Sequence, residues 1–251
     1  MAIVWSKVID DIRYEVRTAG STVRLYTDGV FHSQYNSRLK ISNGIWDLLM
    51  LPAFFSTQSI NNILVLGVGG GAVIRQLLEH INGVVITGVE LNPIHLKIAK
   101  QYFGLAKGIK NKRIKLYHAD AVKWLKHYRG KPFDMIIDDL FGEKNNEPYR
   151  AVNIDANWVR LLLKNTTEHG LIVANFLSRR SLINSALNDR NTVAKEICNS
   201  YVLSRNDYEN QIGVFLKFEL SKNELQANIK TCENNKIVAK IQYQIQKLKS
   251  K

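Results

Sequence analysis

The stretch from Ile63 to Ala72, which reads ILVLGVGGGA, most constrains what this chain can fold into. Its first four residues are aliphatic and suit a buried parallel strand. Gly67, Gly69 and Gly71 lack a Cβ, so the backbone there can turn sharply and approach a ligand closely. The segment that follows has the apolar spacing of a helix, whose first N–H groups are free to bind. The stretch therefore predicts a strand, a glycine turn and a helix that together form a nucleotide pocket.

The glycine spacing alone does not identify the nucleotide. Gly67-x-Gly69-x-x-Ala72 also satisfies the fingerprint of dinucleotide-binding proteins, so a nicotinamide oxidoreductase is an alternative at this point. Whether the ligand is a nicotinamide cofactor or another nucleotide has to be judged from the acidic residues at the ends of the later strands.

Strand-like and helix-like segments alternate after the glycine turn, which predicts a parallel sheet with right-handed crossovers and helices on both faces. The last two strand candidates are joined by a polar turn too short for a crossover helix, so we expect them to be antiparallel. The result is an α/β protein with a seven-stranded, doubly wound, mostly parallel sheet. Its predicted strands are 63–66, 84–89, 114–118, 133–137, 171–176, 201–204 and 211–218.

Two flanking regions are predicted beside this α/β domain, which we place at residues 39–221. Residues 1–38 form a small antiparallel β domain, because apolar residues alternate in the strand manner and Asp28-Gly29 is a favoured hairpin turn. Residues 222–251 form a basic extension that is predicted to be helical. Helices are also predicted over 191–198 and over the terminal segment whose apolar positions share one face, namely Val238, Ile241, Ile245 and Leu248.

Acidic residues stand where three of the predicted parallel strands end. Ligands of doubly wound sheets bind at this edge. Glu90 follows Gly67 by 23 residues, the spacing at which a carboxylate accepts hydrogen bonds from ribose hydroxyls. Asp120, with Ala121 after it, suits an adenine amino group. Asp139 would face the reacting end of the ligand, where a carboxylate favours a cationic centre such as a sulfonium.

Four segments together resemble the spermidine synthase family, within the class I S-adenosylmethionine-dependent methyltransferase fold. They read LVLGVGGGAVIRQLLEH, GVELNPIHLKIAKQYF, RIKLYHADAVKWL and PFDMIIDDLFGE, and the resemblance covers roughly residues 13 to 220. It implies that the three glycines border the methionine moiety of the cofactor, that Glu90 binds ribose and that Asp120 and Ala121 bind adenine. It also implies that Asp139 occupies the family's acidic catalytic position.

The chain departs from that family's pattern at three places. Gly70 stands where the glycine loop has an aspartate, and Gly142 stands where a second aspartate follows the catalytic one. Residues 40–43 read KISN in place of a Tyr-His-Glu run. Each missing group would hold or orient a cationic amine. Ordinary S-adenosylmethionine carries a carboxylate that a loop aspartate would repel.

We therefore predict methyl transfer from S-adenosylmethionine to a small-molecule acceptor, with Asp139 as the base and Glu143 and Tyr149 as weaker candidates. The first alternative is aminopropyl transfer from decarboxylated S-adenosylmethionine. The second is a non-catalytic protein that binds a ligand or nucleic acid on the same fold. We predict no metal site, because no histidine is suitably spaced from Asp138, Asp139 and Glu143.

Positive charge is large and unevenly placed, with a formal net charge of +13. Eleven Lys or Arg lie between Lys97 and Lys131, where Asp120 is the single acid. This face is a candidate site for a polyanion; solvation of outer helix faces is the simpler explanation. The hairpin domain and the terminal helix both offer surfaces for a homodimer.

Two cysteines, Cys198 and Cys232, lie far apart without metal-binding spacing, and we expect both to be ordinary thiols. No stretch approaches the length of a membrane span. The sequence therefore predicts a soluble, cytoplasmic protein.

Overall fold

The computed structural model describes residues 1–42, 44–56, 58–144, 147–231 and 238–249. Asn43 and Cys232, which entered the predictions above, lie outside this set, and Cys198 is a free thiol. The described residues form a four-stranded sheet, an eight-stranded sheet and a separate hairpin. None of the helices described is long and apolar enough to cross a membrane.

The strands, in chain order, are β1 (Ala2–Ile9), β2 (Ile12–Ala19), β3 (Thr22–Thr27), β4 (Val30–Asn36), β5 (Asn62–Leu66), β6 (Val85–Glu90), β7 (Ile114–His118), β8 (Phe133–Asp138), β9 (Phe141–Lys144), β10 (Glu147–Arg150), β11 (Thr166–Phe176), β12 (Asn199–Ser204), β13 (Gln211–Leu216) and β14 (Gln244–Lys247). The α-helices are α1 (Ile45–Met50), α2 (Ala72–His80), α3 (Pro93–Tyr102), α4 (Ala106–Lys110), α5 (Ala121–His127), α6 (Ala156–Lys164), α7 (Arg179–Ile183) and α8 (Lys222–Thr231).

The large sheet has the order β14-β12-β13-β11-β8-β5-β6-β7. Strands β5, β6, β7, β8 and β11 pair in parallel, and β13, β12 and β14 continue the sheet with antiparallel pairings. The predicted α/β fold class is confirmed, and the sheet has one strand more than the predicted seven because β14 joins its edge. The chain runs outward from β5 in one direction and from β8 in the other, so the carboxyl ends of β5 and β8 form the switch point where such sheets bind ligands.

Alternation along β5 divides the core between the two faces of the sheet. Ile63 and Val65 belong to the cluster that includes α1 and α2, whereas Leu64 and Leu66 belong to the cluster that includes α5 and α6. All four side chains are fully buried. A strand that is buried on both faces needs a continuous aliphatic run, and this is the pattern that the sequence shows before the glycine turn.

The small sheet is a meander of β1 to β4. Asp28 and Gly29 both have positive φ, of 45° and 82°, as the turn between β3 and β4 requires. The predicted N-terminal antiparallel sheet is confirmed. The strand-like alternation of the sequence begins only near Arg13, so β1 was not expected as a strand. That strand escaped notice because most of its side chains are exposed, so it lacks the apolar alternation of a half-buried strand.

Two helix predictions in the C-terminal part are wrong. Residues 191–198 form turns, held in part by Asp189, whose side chain accepts hydrogen bonds from Thr192. The terminal helix predicted from Val238 to Leu248 is replaced at Gln244–Lys247 by β14, which pairs with β12. The open edge of β12 offers this segment backbone hydrogen bonds, and that tertiary pairing outweighs its helical spacing. The extension does contain a helix, α8, earlier in the chain.

The small sheet packs on the carboxyl end of the large one through buried polar contacts. Ser33 on β4 accepts a hydrogen bond from the backbone N–H of Gly70 at 2.8 Å. Asn92 is the N-cap of α3, and its side chain donates to the Tyr14 hydroxyl at 2.9 Å. Ser33 is only 1% exposed, so water cannot replace it as the partner of the Gly70 N–H.

Replacing Ser33 by alanine is therefore expected to lower the free energy of unfolding by about 1 to 3 kcal/mol, since it leaves a buried donor unsatisfied. Urea denaturation measures the change. Ser200→Ala is the matched control, because the Ser200 side chain is equally buried and its Oγ has no hydrogen-bond partner among the described residues. Equal losses in the two variants would contradict the role given to the Ser33 contact.

Candidate active site

The glycine turn after β5 closes directly against the end of β8. Gly67, Gly69 and Gly71 have φ of 85°, 52° and 84°, a region that side chains with a Cβ rarely adopt. A Cβ on Gly67 would collide with the backbone carbonyl of Asp139. The turn and the Asp139 backbone are thus in contact, and glycine is required at position 67 on both conformational and steric grounds.

Gly70 is enclosed by a strand and a helix end. A Cβ at this position would lie 2.7 Å from the Ser33 Cβ and 2.8 Å from the Phe103 ring. Both neighbours are buried, so neither has room to withdraw. A glycine at position 70 is therefore explained by packing, whichever cofactor the turn binds.

Glu90, at the end of β6, holds the glycine turn in place. Its Oε2 accepts hydrogen bonds from the backbone N–H groups of Val68 and Gly69, both at 2.9 Å, and its Oε1 accepts from the N–H of Asn92 at 2.9 Å. An ionised carboxylate offers about four acceptor sites, so one remains for a further donor. Glu90 is 9% exposed.

Asp120 and Ala121 lie where β7 passes into α5. The Asp120 side chain caps the helix by accepting the backbone N–H of Lys123 at 2.8 Å, and Ala121 is buried in the second core cluster. The backbone N–H of Ala119 donates to the Glu90 carbonyl at 3.0 Å. The ends of β6 and β7, with Glu90 and Asp120, are therefore adjacent.

Asp138 and Asp139 have opposite environments at the end of β8. Asp138 is fully buried and paired with Arg150, whose Nη2 lies 2.8 and 2.9 Å from its two carboxylate oxygens. The Trp158 indole N–H also donates to Asp138 at 2.8 Å. These bonds give Asp138 a structural role: they tie the end of β10 and the start of α6 to the end of β8.

Asp139 has no direct cationic partner among the described residues. Its carboxylate accepts a hydrogen bond from the Asn175 side-chain N–H at 2.8 Å, and the side-chain Oδ1 of Asn175 accepts in turn from the Asn210 side chain at 3.0 Å. Burial raises the pKa of Asp139 to about 6, against smaller lowering effects from the Asn175 hydrogen bond and the Arg150 charge. A carboxyl group with this pKa is ionised at neutral pH and can take up a proton readily.

Histidines lie between the small sheet and the hairpin of β9 and β10. His32 on β4 contacts the Glu143 carboxylate on β9 at 3.1 Å, and its ring centroid is 5.0 Å from that of His95. His95 Nε2 lies 2.9 Å from the Thr27 hydroxyl. Burial, followed by the nearby His32, lowers the pKa of His95 to about 3. His95 is consequently neutral at physiological pH, although the Glu143 charge acts in the opposite direction and raises its pKa.

The structure brings most of the predicted site residues to one edge of the large sheet. The glycine turn, Glu90 and Asp139 meet at the switch point, and Asp120 with Ala121 lies one strand further on. Tyr149 is 45% exposed on β10. Within the described part of the chain, no three His, Cys, Asp or Glu side chains cluster so as to hold a metal ion.

Sequence reasoning missed four polar residues of this edge, namely His32, Ser33, Arg150 and Asn175. Asn175 left a signal, because it is the one polar side chain in the apolar run Leu171–Phe176. The other three left none, since they belong to the small sheet and the hairpin and reach the site only through the tertiary fold.

Comparisons with known proteins identify the family and the fold. The family model for the spermine/spermidine synthase domain matches residues 47–229. A probable spermidine synthase from Corynebacterium glutamicum superimposes with a TM-score of 0.73, at 16% identity, covering 98% of this chain and 91% of that one. Spermidine synthase from Thermotoga maritima gives a TM-score of 0.68 at 14% identity, with 95% and 83% covered. At these identities the superpositions show the fold.

Curated relatives match over shorter segments. A polyamine aminopropyltransferase 2 from Caldanaerobacter subterraneus is 30% identical over 107 residues, which is 43% of this chain and 35% of the relative. A polyamine aminopropyltransferase from Prochlorococcus marinus is 24% identical over 181 residues, which is 66% of this chain and 62% of the relative. The chain thus spans less than two thirds of the length of these relatives.

The contrast between the two aspartates leads to opposite expectations for stability. The folded state raises the pKa of Asp139 from 3.8 to about 6, so it binds this proton more tightly than the unfolded chain does. Ionised Asp139 therefore destabilises the fold above pH 6, by up to about 3 kcal/mol, and this penalty disappears below about pH 4. Asp139→Asn should raise the Tm at pH 7.5 and leave it unchanged near pH 4, as measured by differential scanning calorimetry.

Asp138→Asn is the matched variant at the neighbouring position. It leaves the buried Arg150 guanidinium without its counter-charge, and should lower the free energy of unfolding by about 3 to 5 kcal/mol at pH 7.5. A destabilised Asp139→Asn, or an Asp138→Asn that is as stable as the parent, would contradict the assignment of the two environments.

Proposed function

Because the chain belongs to the spermine/spermidine synthase domain family, we propose that it transfers an aminopropyl group from decarboxylated S-adenosylmethionine to an amine. The family match covers most of the chain, and the curated relatives described above are named polyamine aminopropyltransferases. The acceptor in this proposal is a small linear polyamine.

The predicted methyl transfer is wrong. The family match and the names of the curated relatives point to the aminopropyl alternative instead. The prediction depended on Gly70, read as the loss of an aspartate that would repel the carboxylate of ordinary S-adenosylmethionine. A Cβ at position 70 would crowd Ser33 and Phe103, so packing gives a reason for glycine there that does not depend on the donor.

The environment of Asp139 is the observation that most supports aminopropyl transfer. An amine is protonated at neutral pH and must lose a proton before it can attack carbon. Asp139 stands at the switch point with a pKa of about 6 and is held by Asn175 in one orientation. In the proposed reaction its carboxylate binds the acceptor ammonium and accepts the proton. A new N–C bond forms as the C–S bond breaks, and the sulfur leaves as a neutral thioether.

The donor fits the acidic edge of the sheet. When bound, decarboxylated S-adenosylmethionine supplies an electrophilic carbon beside its sulfonium. Gly67, Gly69 and Gly71 offer a surface without side chains next to the aminopropyl arm, and Glu90 has one acceptor site left for a ribose hydroxyl. Asp120 and Ala121 are then placed to contact adenine. The acidic groups at these strand ends favour a cationic ligand.

Glu143 supplies a second carboxylate for the acceptor, one position after Gly142. It lies on the hairpin that follows Asp139 and contacts His32, and its side chain is 21% exposed. The charge of His32 also acts on Asp139, so His32 lies near both carboxylates. We assign Glu143 to the distal ammonium of a diamine, in place of the second aspartate of the family pattern.

The reaction is tested by incubating the protein with decarboxylated S-adenosylmethionine and a panel of linear diamines and triamines, and measuring the thioether product by mass spectrometry. Activity should rise as the pH passes through about 6, because Asp139 loses its proton there.

Asp139→Asn should lower kcat by at least about a hundredfold at pH 8. Glu143→Gln should raise KM for the amine more than it lowers kcat.

Asp155→Asn is the control for these variants. Asp155 caps α6 by accepting the N–H of Trp158, and asparagine caps equally well, so activity should be kept. Absence of the thioether product with every amine would overturn the proposed reaction. Full activity in Asp139→Asn would overturn only the assigned base.

A further inference from the structure

The cluster of cations between Lys97 and Lys131 includes a group at one edge of the large sheet. Among the strands that the structure describes, β7 pairs with β6 alone and forms one edge of the sheet. Lys115 projects from β7, and Lys123 and Lys126 from the neighbouring helix α5, and all three are exposed. Arg113 differs, because it is partly buried and donates to the backbone carbonyls of Ile81 and Val84.

An open groove of about 530 Å³ runs between β7 and α5. We call it the edge groove and define it by the residues that line it, which are the aromatic Tyr117, Trp124 and Tyr128, the cationic Lys123 and Arg129, and His127. Asp120 lies at one end, where its carboxylate accepts the N–H of Lys123. The rest of the lining holds no acidic side chain.

Aromatic rings form a row along the edge groove. The ring centroids of Tyr117 and Trp124 are 5.2 Å apart, and those of Trp124 and Tyr128 are 4.9 Å apart. Tyr128 continues the row to the buried Phe133 at 5.0 Å. The row therefore begins in the core and ends at Tyr117, which is 42% exposed. The Tyr117 ring is tilted by 48° against Trp124, whereas the Trp124–Tyr128 and Tyr128–Phe133 pairs are stacked. An exposed ring that packs against such a row can serve as a platform for another flat ring.

We propose that the edge groove binds single-stranded nucleic acid. Rings in a row stack on unpaired bases, and flanking lysines and arginines pair with the phosphates, which together give affinity without strict sequence preference. A duplex fits less well, because its bases are already stacked and paired. The edge groove adjoins the proposed transfer site at Asp120, which we assign to adenine, and extends from there along β7 and α5, away from the ends of β5, β6 and β8.

The test measures binding of a fluorescent, unstructured RNA 12-mer by anisotropy across a range of salt concentrations. The triple variant Lys115→Gln/Lys123→Gln/Lys126→Gln should bind at least about tenfold more weakly at 0.1 M salt. Its slope of log affinity against log salt should be about 2 smaller, from a contribution of about 0.7 per phosphate contact. Tyr117→Ala should weaken binding about fivefold or more, and Tyr117→Phe should bind like the parent.

The matched charge control is Lys7→Gln/Lys222→Gln/Lys247→Gln, which removes three exposed lysines on other elements and should change affinity less than twofold. Inorganic polyphosphate, which has charge but no bases, should compete poorly and should not distinguish Tyr117→Ala from the parent. No binding of the RNA at 50 mM salt, equal loss in both triple variants, or an unchanged Tyr117→Ala would each overturn the proposal.

Discussion

The contact between the glycine turn and the end of β8 is the constraint on which the rest of the site depends. Gly67 has no room for a side chain because the Asp139 carbonyl lies against it, and Gly70 has none because Ser33 and Phe103 enclose it. Glu90 then fixes the turn through the backbone N–H groups of Val68 and Gly69. The end of β8, Ser33 on β4 and Glu90 on β6 are distant in sequence and all contact the glycine turn. These contacts fix the positions of Glu90 and Asp139.

Asp138 and Asp139 are consecutive acids at this junction, and their surroundings differ: those of Asp138 suit a structural role and those of Asp139 a chemical one. Asp138 has Arg150 and Trp158 as partners and ties the neighbouring elements together. Within the described part of the chain, the Asp139 carboxylate accepts a hydrogen bond from a neutral amide alone, and burial raises its pKa to about 6. An acid that is kept ionised at some cost to the fold is a common sign of chemistry, because the fold alone would favour a neutral residue.

Much of this architecture follows from local pattern. The aliphatic run before Gly67, the alternation of strands and helices and the Asp28-Gly29 turn are all short-range signals, and the fold class inferred from them is confirmed. The two strands that the sequence did not predict, β1 and β14, have separate causes. β1 is exposed and carries no apolar alternation, and β14 forms because β12 has an open edge, which the sequence near Ile245 does not reveal.

The site was harder to predict than the fold, for a related reason. Gly70 looked like a missing aspartate, since the sequence does not show that Ser33 and Phe103 fill the space beside it. His32 and Arg150 come from elements whose placement depends on tertiary packing. Residues at strand ends could be found from spacing, whereas their partners from the small sheet and the hairpin could not.

The hairpin of β9 and β10 has both of its ends fastened at one point. It leaves the sheet directly after Asp139 and returns at Arg150, which bonds to the Asp138 carboxylate and to the Asn175 carbonyl. Further out, the Glu143 carboxylate contacts His32 of the small sheet. Different residues therefore fix the described parts of the hairpin: Arg150 fixes its end beside β8, and Glu143 contacts the small sheet. A substitution at Glu143 leaves in place the bonds of Arg150 to Asp138 and Asn175 and the bond of Asn175 to Asp139.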